Sequence, residues 1–182
     1  TSMAVNMSNE KVRPETIAAH ALRAVDPATG AVVPPLYLST THARDERYGF
    51  KVQHDYLRSG NLTTQQAEEL LTALEKGHGA LLFASGMAAI TTLFETVPQG
   101  AHVAAQDSMY YNTREWLQRL EKKGRITLSL FRAGDLEAMK DAVNGGKTDL
   151  VWIETPSNPN WIVTDISQSA SIAHAVGAKL AV

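Results

Sequence analysis

The stretch Leu150-Val-Trp-Ile-Glu-Thr-Pro-Ser-Asn-Pro159 decides the fold class, because an apolar run passes directly into a polar loop that two prolines keep extended. A short apolar run bounded by turn residues predicts a buried strand. Comparable runs lie on both sides of it and alternate with helical patterns. The predicted strands are Ala80–Ala84, His102–Gln106, Ile126–Phe131, Leu150–Glu154 and Ala178–Val182. The helices predicted between them are Met87–Thr96, Thr113–Lys122, Asp135–Val143 and Ile166–Val176.

This alternation predicts an α/β fold, because short connections between strands and helices require crossovers that make the strands parallel. Each crossover lays a helix over the sheet, so both faces of the sheet are covered. In such sheets ligands bind beyond the carboxyl ends of the strands. We therefore expect the chemistry of this chain to reside in the loops that follow its strands.

The composition argues against several classes of function. The 182 residues carry a net charge of −2, with no concentration of basic residues that would bind nucleic acid or an anionic membrane. The absence of cysteine excludes disulfides and thiolate nucleophiles, and no pair of the six histidines has metal-ligand spacing. Without a leader sequence or a long apolar run, we expect a cytoplasmic protein that acts on a small molecule.

The first 39 residues are expected to form an arm, because one short amphipathic stretch among turn-rich segments is too little for a separate core. Residues 40–182 are expected to form the body of the molecule. Within the body, Thr63 followed three residues later by Gln66 has the pattern of a capping box. The pattern predicts a helix within the segment Asn61–Gly79, ended by Gly77.

Ser85-Gly86-Met87 is predicted to be a turn between a strand and a helix. The first backbone N–H groups of a helix lack intrahelical acceptors, so they can bind an anion such as phosphate. Serine and glycine also make plain tight turns, and these residues alone do not separate the two interpretations. No glycine-rich dinucleotide or Walker pattern occurs, which argues against a nucleotide-binding fold.

Four further polar residues lie in predicted loops. Tyr56 and Arg58 precede the first long helix, where a phenol and an arginine fork can both reach a phosphate oxygen. A solvated loop arginine is the alternative. Tyr110 follows a predicted strand, and a tyrosine there usually packs its ring at the sheet edge. Asn158 belongs to a loop fixed by prolines, which is either an ordinary turn or a support that directs the asparagine from the sheet edge.

Taken in order, these segments resemble the cystathionine gamma-synthase family of pyridoxal-phosphate (PLP) enzymes, also known for Cys/Met metabolism and trans-sulfuration. The resemblance extends from about Thr16 to Val182. It implies an aspartate-aminotransferase-like fold (PLP fold type I) with a mostly parallel sheet between helices, of which residues 40–182 form the N-terminal part of the PLP-binding large domain. It also implies a homotetramer, assembled as a dimer of dimers.

The resemblance implies that five residues hold the phosphate of PLP. Ser85, Gly86 and Met87 correspond to the phosphate-binding turn of the family. Tyr56 and Arg58 correspond to residues that reach across a dimer interface into the site of the neighbouring subunit. The cofactor site would then require two subunits.

Two more residues acquire roles through the resemblance. Tyr110 corresponds to the tyrosine that stacks on the pyridine ring and is catalytic through its hydroxyl, while Asn158 corresponds to the asparagine beside the cofactor and the substrate carboxylate. Tyr111 and Asn112 stand where the family has two glycines, and Leu57 stands where serine or threonine is usual. These departures leave the amino-acid substrate open.

The implied reactions are β- or γ-elimination and γ-replacement on a sulfur-containing or activated homoserine amino acid, so the expected enzyme is a PLP-dependent lyase or transferase. None of the eight lysines follows the family's S-x-T-K-Y pattern for covalent attachment of the cofactor. We therefore expect the chain to be an incomplete, N-terminal portion of the enzyme. The alternative is a short, non-catalytic binding module of the same fold.

Overall fold

The computed structural model describes residues 12–20, 25–26, 28–51, 56–144 and 147–182. The chain divides into two compact units, Thr1–Leu82 and Phe83–Val182. This division lies within the segment expected to form the body, and an arm that ends at residue 39 stays a prediction.

The described part of the first unit contains helices α1 (Pro14–Ala19) and α2 (Leu62–Leu74), which contact each other. Asn61 caps α2, because its side-chain oxygen accepts a hydrogen bond from the Thr63 N–H at 2.8 Å. The capping box predicted at Thr63 is wrong. Thr63 lies inside the first turn, and its hydroxyl oxygen accepts from the Tyr37 N–H at 2.9 Å. An asparagine two residues before Thr63 caps as well as a threonine does, and the helix therefore begins at Leu62.

A four-stranded parallel sheet forms the centre of the second unit. Its strands are β1 (Ala101–Gln106), β2 (Ile126–Phe131), β3 (Leu150–Trp152) and β4 (Lys179–Ala181). Their spatial order is β2-β1-β3-β4, and each neighbouring pair is parallel. The helices are α3 (Gly86–Glu95), α4 (Tyr111–Lys122), α5 (Leu136–Asn144) and α6 (Ile166–Ala175). The sheet and its crossovers confirm the predicted α/β class.

Each face of the sheet carries its own hydrophobic core. Side chains along β1 alternate between the two faces, so Val103 and Ala105 belong to one core and Ala104 to the other. The first core joins the sheet to α3 and α4, and the second joins it to α5 and α6. In the first core the ring of Phe94 lies 5.4 Å from that of Trp152, measured between centroids. Burial on both faces explains why the centre of β1 and the whole of β3 are apolar without alternation.

The structure contradicts the predicted strand Ala80–Ala84. These residues form no ladder, and Leu81 and Leu82 are 74% and 45% exposed. An apolar run becomes a strand only where a neighbouring strand completes its backbone hydrogen bonds, and no described strand pairs with this one. The Leu82 N–H donates instead to the Glu68 carboxylate at 2.9 Å. The remaining strands, and the helices of the second unit, lie within two residues of their predicted bounds.

Candidate functional site

Gln106, the last residue of β1, joins the loops at the carboxyl edge of the sheet. Its side chain is fully buried, and its amide nitrogen donates to the carbonyl oxygens of Ser108 at 2.6 Å and Glu154 at 2.9 Å. The Thr164 hydroxyl donates to the Gln106 side-chain oxygen at 3.5 Å. One buried amide therefore connects the loop that follows β1 to both ends of the loop that follows β3. Buried polar groups that are satisfied in this way hold their partners in one arrangement.

Glu154 holds the start of α4. One carboxylate oxygen accepts from the backbone N–H of Tyr110 at 2.8 Å, and the other accepts from the Trp152 indole N–H at 3.3 Å. Tyr110 is the residue that precedes α4, and its own side chain makes no capping bond. A carboxylate beside the N-terminus of a helix also interacts favourably with the helix dipole. The sequence pattern contained Glu154 but did not reveal this contact, because the two residues are far apart in the chain.

Tyr110 is 40% exposed, and its hydroxyl contacts Asn112, which stands where the family has a glycine. The Asn112 side-chain nitrogen donates to the Tyr110 hydroxyl oxygen at 3.0 Å. A hydroxyl oxygen that accepts one bond keeps its own hydrogen available to donate. The Asn112 amide therefore orients the phenol.

The loop after β3 places its two central polar residues differently. Ser157 is buried, and its hydroxyl oxygen accepts from the Ile162 N–H at 3.2 Å and lies 3.3 Å from the Ser108 hydroxyl. Asn158, the next residue, is exposed. The sequence left open whether this loop is an ordinary turn or directs Asn158 from the sheet edge. The structure uses Ser157 to close the loop and leaves Asn158 accessible.

Tyr110 and Asn158 line the same open cleft, which has a volume of about 680 Å³. A cleft of this size is suited to a small ligand. Arg114, Arg132 and Asp107 supply its charged side chains. The structure thus brings together two residues that the sequence singled out, and adds two arginines that the sequence did not identify.

Ser85, Gly86 and Met87 lie at the N-terminus of α3. The Ser85 hydroxyl oxygen accepts from the Ala88 N–H at 3.1 Å, which leaves the hydroxyl hydrogen able to donate. The N–H groups of Gly86 and Met87 occupy the first two helical positions and have no intrahelical acceptor. A Cβ placed on Gly86 would meet nothing within 4 Å, so the turn is open. These donors fit a phosphate group, although none of the three residues lines the cleft of Tyr110.

Tyr56 and Arg58 lie together in the first unit. Tyr56 pairs with Thr41 in an isolated antiparallel bridge, and the Leu57 N–H donates to the Thr40 carbonyl at 2.8 Å. The guanidinium carbon of Arg58 lies 5.2 Å from the centroid of the Tyr56 ring, within the range of a cation–π contact. Both side chains are exposed.

In the ranges that the structure describes, no three histidine, aspartate or glutamate side chains come close enough to hold a metal ion. Over the same ranges, no helix has the length and the apolar character needed to cross a membrane.

Residues 15–182 match the family described as Cys/Met metabolism PLP-dependent enzymes. The chain belongs to this family. Membership implies PLP as the cofactor and confirms the family that the sequence motifs predicted. The match includes every segment that carries a candidate site residue.

The chain is similar to family members that have different reactions in their names. It is 39% identical to a cystathionine gamma-lyase of Dictyostelium discoideum over 163 residues, which are 90% of this chain and 42% of that protein. It is 34% identical to a cystathionine beta-lyase of Coxiella burnetii, covering 91% of this chain and 43% of that protein. The chain thus spans less than half the length of these relatives.

A crystal structure of cystathionine gamma synthase from Xanthomonas oryzae pv. oryzae in complex with cystathionine superimposes with a TM-score of 0.84 at 35% identity. The match covers 94% of this chain and 44% of that one. The likeness confirms the predicted PLP-enzyme fold class. The chain matches a synthase and two kinds of lyase at similar identity. These similarities therefore do not distinguish between the reactions of the three enzymes.

Proposed function

We propose that this chain supplies the N-terminal portion of a PLP-dependent lyase or transferase of amino-acid metabolism. Its reaction is a β- or γ-elimination or a γ-replacement on a sulfur-containing or activated homoserine amino acid. The observation that carries the proposal is the convergence of Tyr110 and Asn158 on one cleft, with Tyr110 held at its backbone by Glu154. The proposed enzyme is a homo-oligomer, a dimer of dimers, and its cytoplasmic location stays a prediction.

The phosphate of PLP would be held by donors from two subunits. Gly86 and Met87 offer backbone N–H groups at the start of α3, and Ser85 offers its hydroxyl. Arg58 adds a guanidinium, which binds phosphate through two parallel hydrogen bonds, and Tyr56 adds a phenol. We propose that the last two residues come from the neighbouring subunit, since both are exposed and lie in the unit that does not contain the cleft.

PLP, when bound, supplies an electron sink for negative charge at the α-carbon of the substrate. Tyr110 offers a half-exposed ring for stacking and a hydroxyl that can give up or accept a proton. Asn112 fixes that hydroxyl through its amide. Asn158 offers an amide that can donate to the substrate carboxylate and keep the reacting carbon near Tyr110.

The test is Tyr110→Phe in the complete enzyme. Stacking depends on the aromatic face and survives the loss of the oxygen, so the variant should retain PLP. Its turnover should fall by roughly 10²- to 10⁴-fold, the usual contribution of general acid–base catalysis. Absorbance of the bound cofactor and steady-state kcat measure the two effects separately.

Tyr111→Phe is the matched control, because Tyr111 is the adjacent tyrosine and lines the same cleft. We expect it to change turnover much less than Tyr110→Phe does. If Tyr111→Phe abolishes turnover and Tyr110→Phe does not, the catalytic role belongs to Tyr111 and the proposed assignment is wrong.

A further inference from the structure

We propose that a second binding site, for a small amino acid in its zwitterionic form, lies at the amino edge of the parallel sheet. The site is a cleft of about 470 Å³ in the second unit, and we call it the amino-edge cleft. Its described lining residues include one carboxylate, from Asp149, and one ammonium group, from Lys147. Of the described residues, none lines both this cleft and the cleft of Tyr110 at the carboxyl edge.

The amino-edge cleft forms where three strands begin. His102 is the second residue of β1, Thr127 is the second residue of β2, and Asp149 immediately precedes β3. His102 and Thr127 are partners in the sheet, and Ser129 lies two residues further along β2, so these three side chains project from the same face. Ala142 of α5 completes the wall on that face. The volume of the cleft is suited to a small ligand.

The imidazole of His102 is held between two hydroxyl groups. Its Nδ1 lies 2.9 Å from the Thr148 hydroxyl, and its Nε2 lies 2.9 Å from the Ser129 hydroxyl. The Thr148 hydroxyl donates to the Val143 carbonyl at 3.4 Å, so its oxygen accepts from the Nδ1–H of the imidazole. The imidazole Nε2 then accepts from the Ser129 hydroxyl. The Ser129 oxygen is thereby oriented, and its lone pairs remain available to a donor in the cleft.

The two charged residues of the amino-edge cleft form an open ion pair. Lys147 Nζ lies 3.7 Å from Asp149 Oδ1, which is longer than the distance of about 2.9 Å in a charge-assisted hydrogen bond. The other Asp149 oxygen accepts from the His102 N–H at 3.1 Å, which holds the carboxylate at the sheet edge. The Lys147 side chain is 87% exposed, so the pair contributes little to stability and its separation costs little.

An ion pair on α5 shows the contrast. Lys140 Nζ lies 2.6 Å from Glu137 Oε1, and neither residue lines the amino-edge cleft. These two groups are within hydrogen-bond distance and satisfy each other directly. Lys147 and Asp149, in comparison, leave hydrogen-bonding positions that a ligand can use.

A zwitterion matches the amino-edge cleft better than a ligand with one charge. A ligand that carries only a carboxylate would be attracted by Lys147 and repelled by Asp149, and a lone ammonium group would meet the reverse. An amino acid brings both groups. Its ammonium group has acceptors in Asp149 and Ser129, and its carboxylate has a donor in Lys147. The inference does not depend on the proposed function, because it uses no residue of the candidate active site.

The probe for the experiment is N,N-dimethylglycine, a zwitterion whose tertiary amine cannot form a Schiff base with PLP. Saturation-transfer difference NMR of its methyl signal, recorded with the complete enzyme, gives the dissociation constant. Isovalerate has the same shape and carboxylate but no ammonium group, whereas N,N-dimethylglycinamide keeps the ammonium group and has a neutral amide. We expect N,N-dimethylglycine to bind at least about 10-fold more tightly than either analogue, the effect of one charge-assisted hydrogen bond.

Three replacements test the cleft itself. Asp149→Asn keeps an oxygen for the His102 N–H and should weaken binding of N,N-dimethylglycine by roughly 10- to 100-fold. Lys147→Gln should weaken it less, because the Lys147 ammonium group is more exposed, and Lys147→Arg should retain the affinity. Thr127→Trp fills the cleft from an exposed strand position that accepts aromatic residues, and should prevent binding without altering either charge.

Lys140→Gln and Glu137→Gln are the matched controls, because they remove the charges of an ion pair outside the amino-edge cleft. Both should leave the affinity for N,N-dimethylglycine unchanged. Circular dichroism shows whether each variant is folded. If Asp149→Asn does not fold, Lys147→Gln and Thr127→Trp decide the question.

Absence of saturable binding, or equal affinity for N,N-dimethylglycine and isovalerate, would overturn the inference. Unchanged affinity in folded Asp149→Asn would do the same. Binding that survives in Thr127→Trp would assign the probe to another site, such as the cleft of Tyr110, and would also overturn it. An enzyme that binds the probe as expected but consumes no amino acid would contradict the proposed function alone.

Discussion

The two units of the chain differ in how much of themselves they bury. In Phe83–Val182, residues such as Val103 and Val151 are fully buried on opposite faces of the sheet. In the described part of Thr1–Leu82, only Ile17 and Asn61 are buried. The second unit therefore contains the core that stabilises it, whereas the described part of the first unit leaves most of its apolar side chains exposed.

The candidate site residues from the two units differ in the same way in how firmly their surroundings hold them. Tyr110 and Asn158 follow strands of a covered sheet, and a buried amide fixes the loops that carry them. Tyr56 and Arg58 lie in the unit that buries little. Exposed apolar side chains leave this unit with surface that another protein molecule can cover. The comparison agrees with the proposal that Tyr56 and Arg58 act on a neighbouring subunit.

The largest effect is expected from Phe94→Ala, which tests the core of the second unit. Phe94 is 1% exposed and packs against Trp152, so its removal leaves a cavity in the first core. The free energy of unfolding should fall by about 3–5 kcal/mol. Chemical denaturation, followed by circular dichroism, measures the loss.

Leu38→Ala is the counterpart in the first unit, where Leu38 is 89% exposed. Its cost should stay within about 0.5 kcal/mol. If Leu38→Ala lowers the free energy of unfolding as much as Phe94→Ala does, Leu38 is buried in the assembled protein. The difference in burial between the two units would then not hold in the assembly.

Arg58→Ala should weaken PLP binding by roughly 10- to 100-fold, because a charge-assisted phosphate contact contributes about 1.5–3 kcal/mol. Equilibrium titration of the apoenzyme with PLP measures the change. Arg47→Ala is the control, since Arg47 is an exposed arginine of the same unit. Mixing Arg58→Ala protomers with protomers that lack the cofactor-binding lysine should restore some sites. Hybrids that form without restored sites would contradict a contact across the interface.

Helix caps offer a smaller test, with one example in each unit. Asn61→Ala removes the acceptor for the Thr63 N–H and the donor to the Tyr37 carbonyl, and Asn61 is 5% exposed. We expect it to cost about 2 kcal/mol, against about 1 kcal/mol for Ser85→Ala. Asn61→Asp keeps the capping oxygen and should cost less than Asn61→Ala. Unfolding curves that reverse the order of Asn61 and Ser85 would mean that α2 contributes little to the folded state.

The smallest effect concerns two aspartates with lowered pKa values, Asp26 and Asp165. The backbone N–H of Gln168, and then its side-chain amide, hold the pKa of Asp165 below its ordinary value of 3.8. The Thr29 hydroxyl, and then the Ala28 N–H, do the same for the pKa of Asp26. Because folding lowers each pKa, each carboxylate stabilises the protein fully above its unfolded pKa and loses that contribution as the pH falls through the folded value.

Melting temperatures from about pH 5 to about pH 2 should show this loss in the unaltered protein, where unfolded carboxylates titrate near pH 4. Asp165→Asn and Asp26→Asn should flatten the profile slightly. The effect of Asp165→Asn should be the larger, because Asp165 caps a helix that packs on a core and Asp26 closes a turn in the first unit. Equal effects would contradict the distinction between the units.

The sequence predicted the elements whose pattern is local. β2 has its predicted bounds, Ile126–Phe131, because an apolar run between turns suffices to define a buried strand. Ala80–Ala84 has a similar run but is not a strand, since strand formation also requires a partner that no local pattern reveals. The cap of α2 was misplaced because both Asn61 and Thr63 satisfy the same rule.

The sequence predicted those residues of the candidate site that directly follow the ends of strands. Tyr110 and Asn158 follow β1 and β3, which are neighbours in the sheet, and this explains why they share a cleft. The contacts of Gln106 and Glu154 were not predictable, because they join residues more than 40 positions apart. Arg114 and Arg132 carry no motif, and only the folded chain places them in the same cleft.

The buried amide of Gln106 holds the two loops of the cleft together, so Gln106 must be kept when the cleft is redesigned. Replacement by glutamate would place carboxylate oxygens beside the carbonyl oxygens of Ser108 and Glu154, and the like partial charges would push the two loops apart. Tyr111 and Arg132, by contrast, line the cleft with exposed side chains. A library that varies these wall positions and keeps Gln106 should therefore alter which amino acids are accepted without displacing Tyr110.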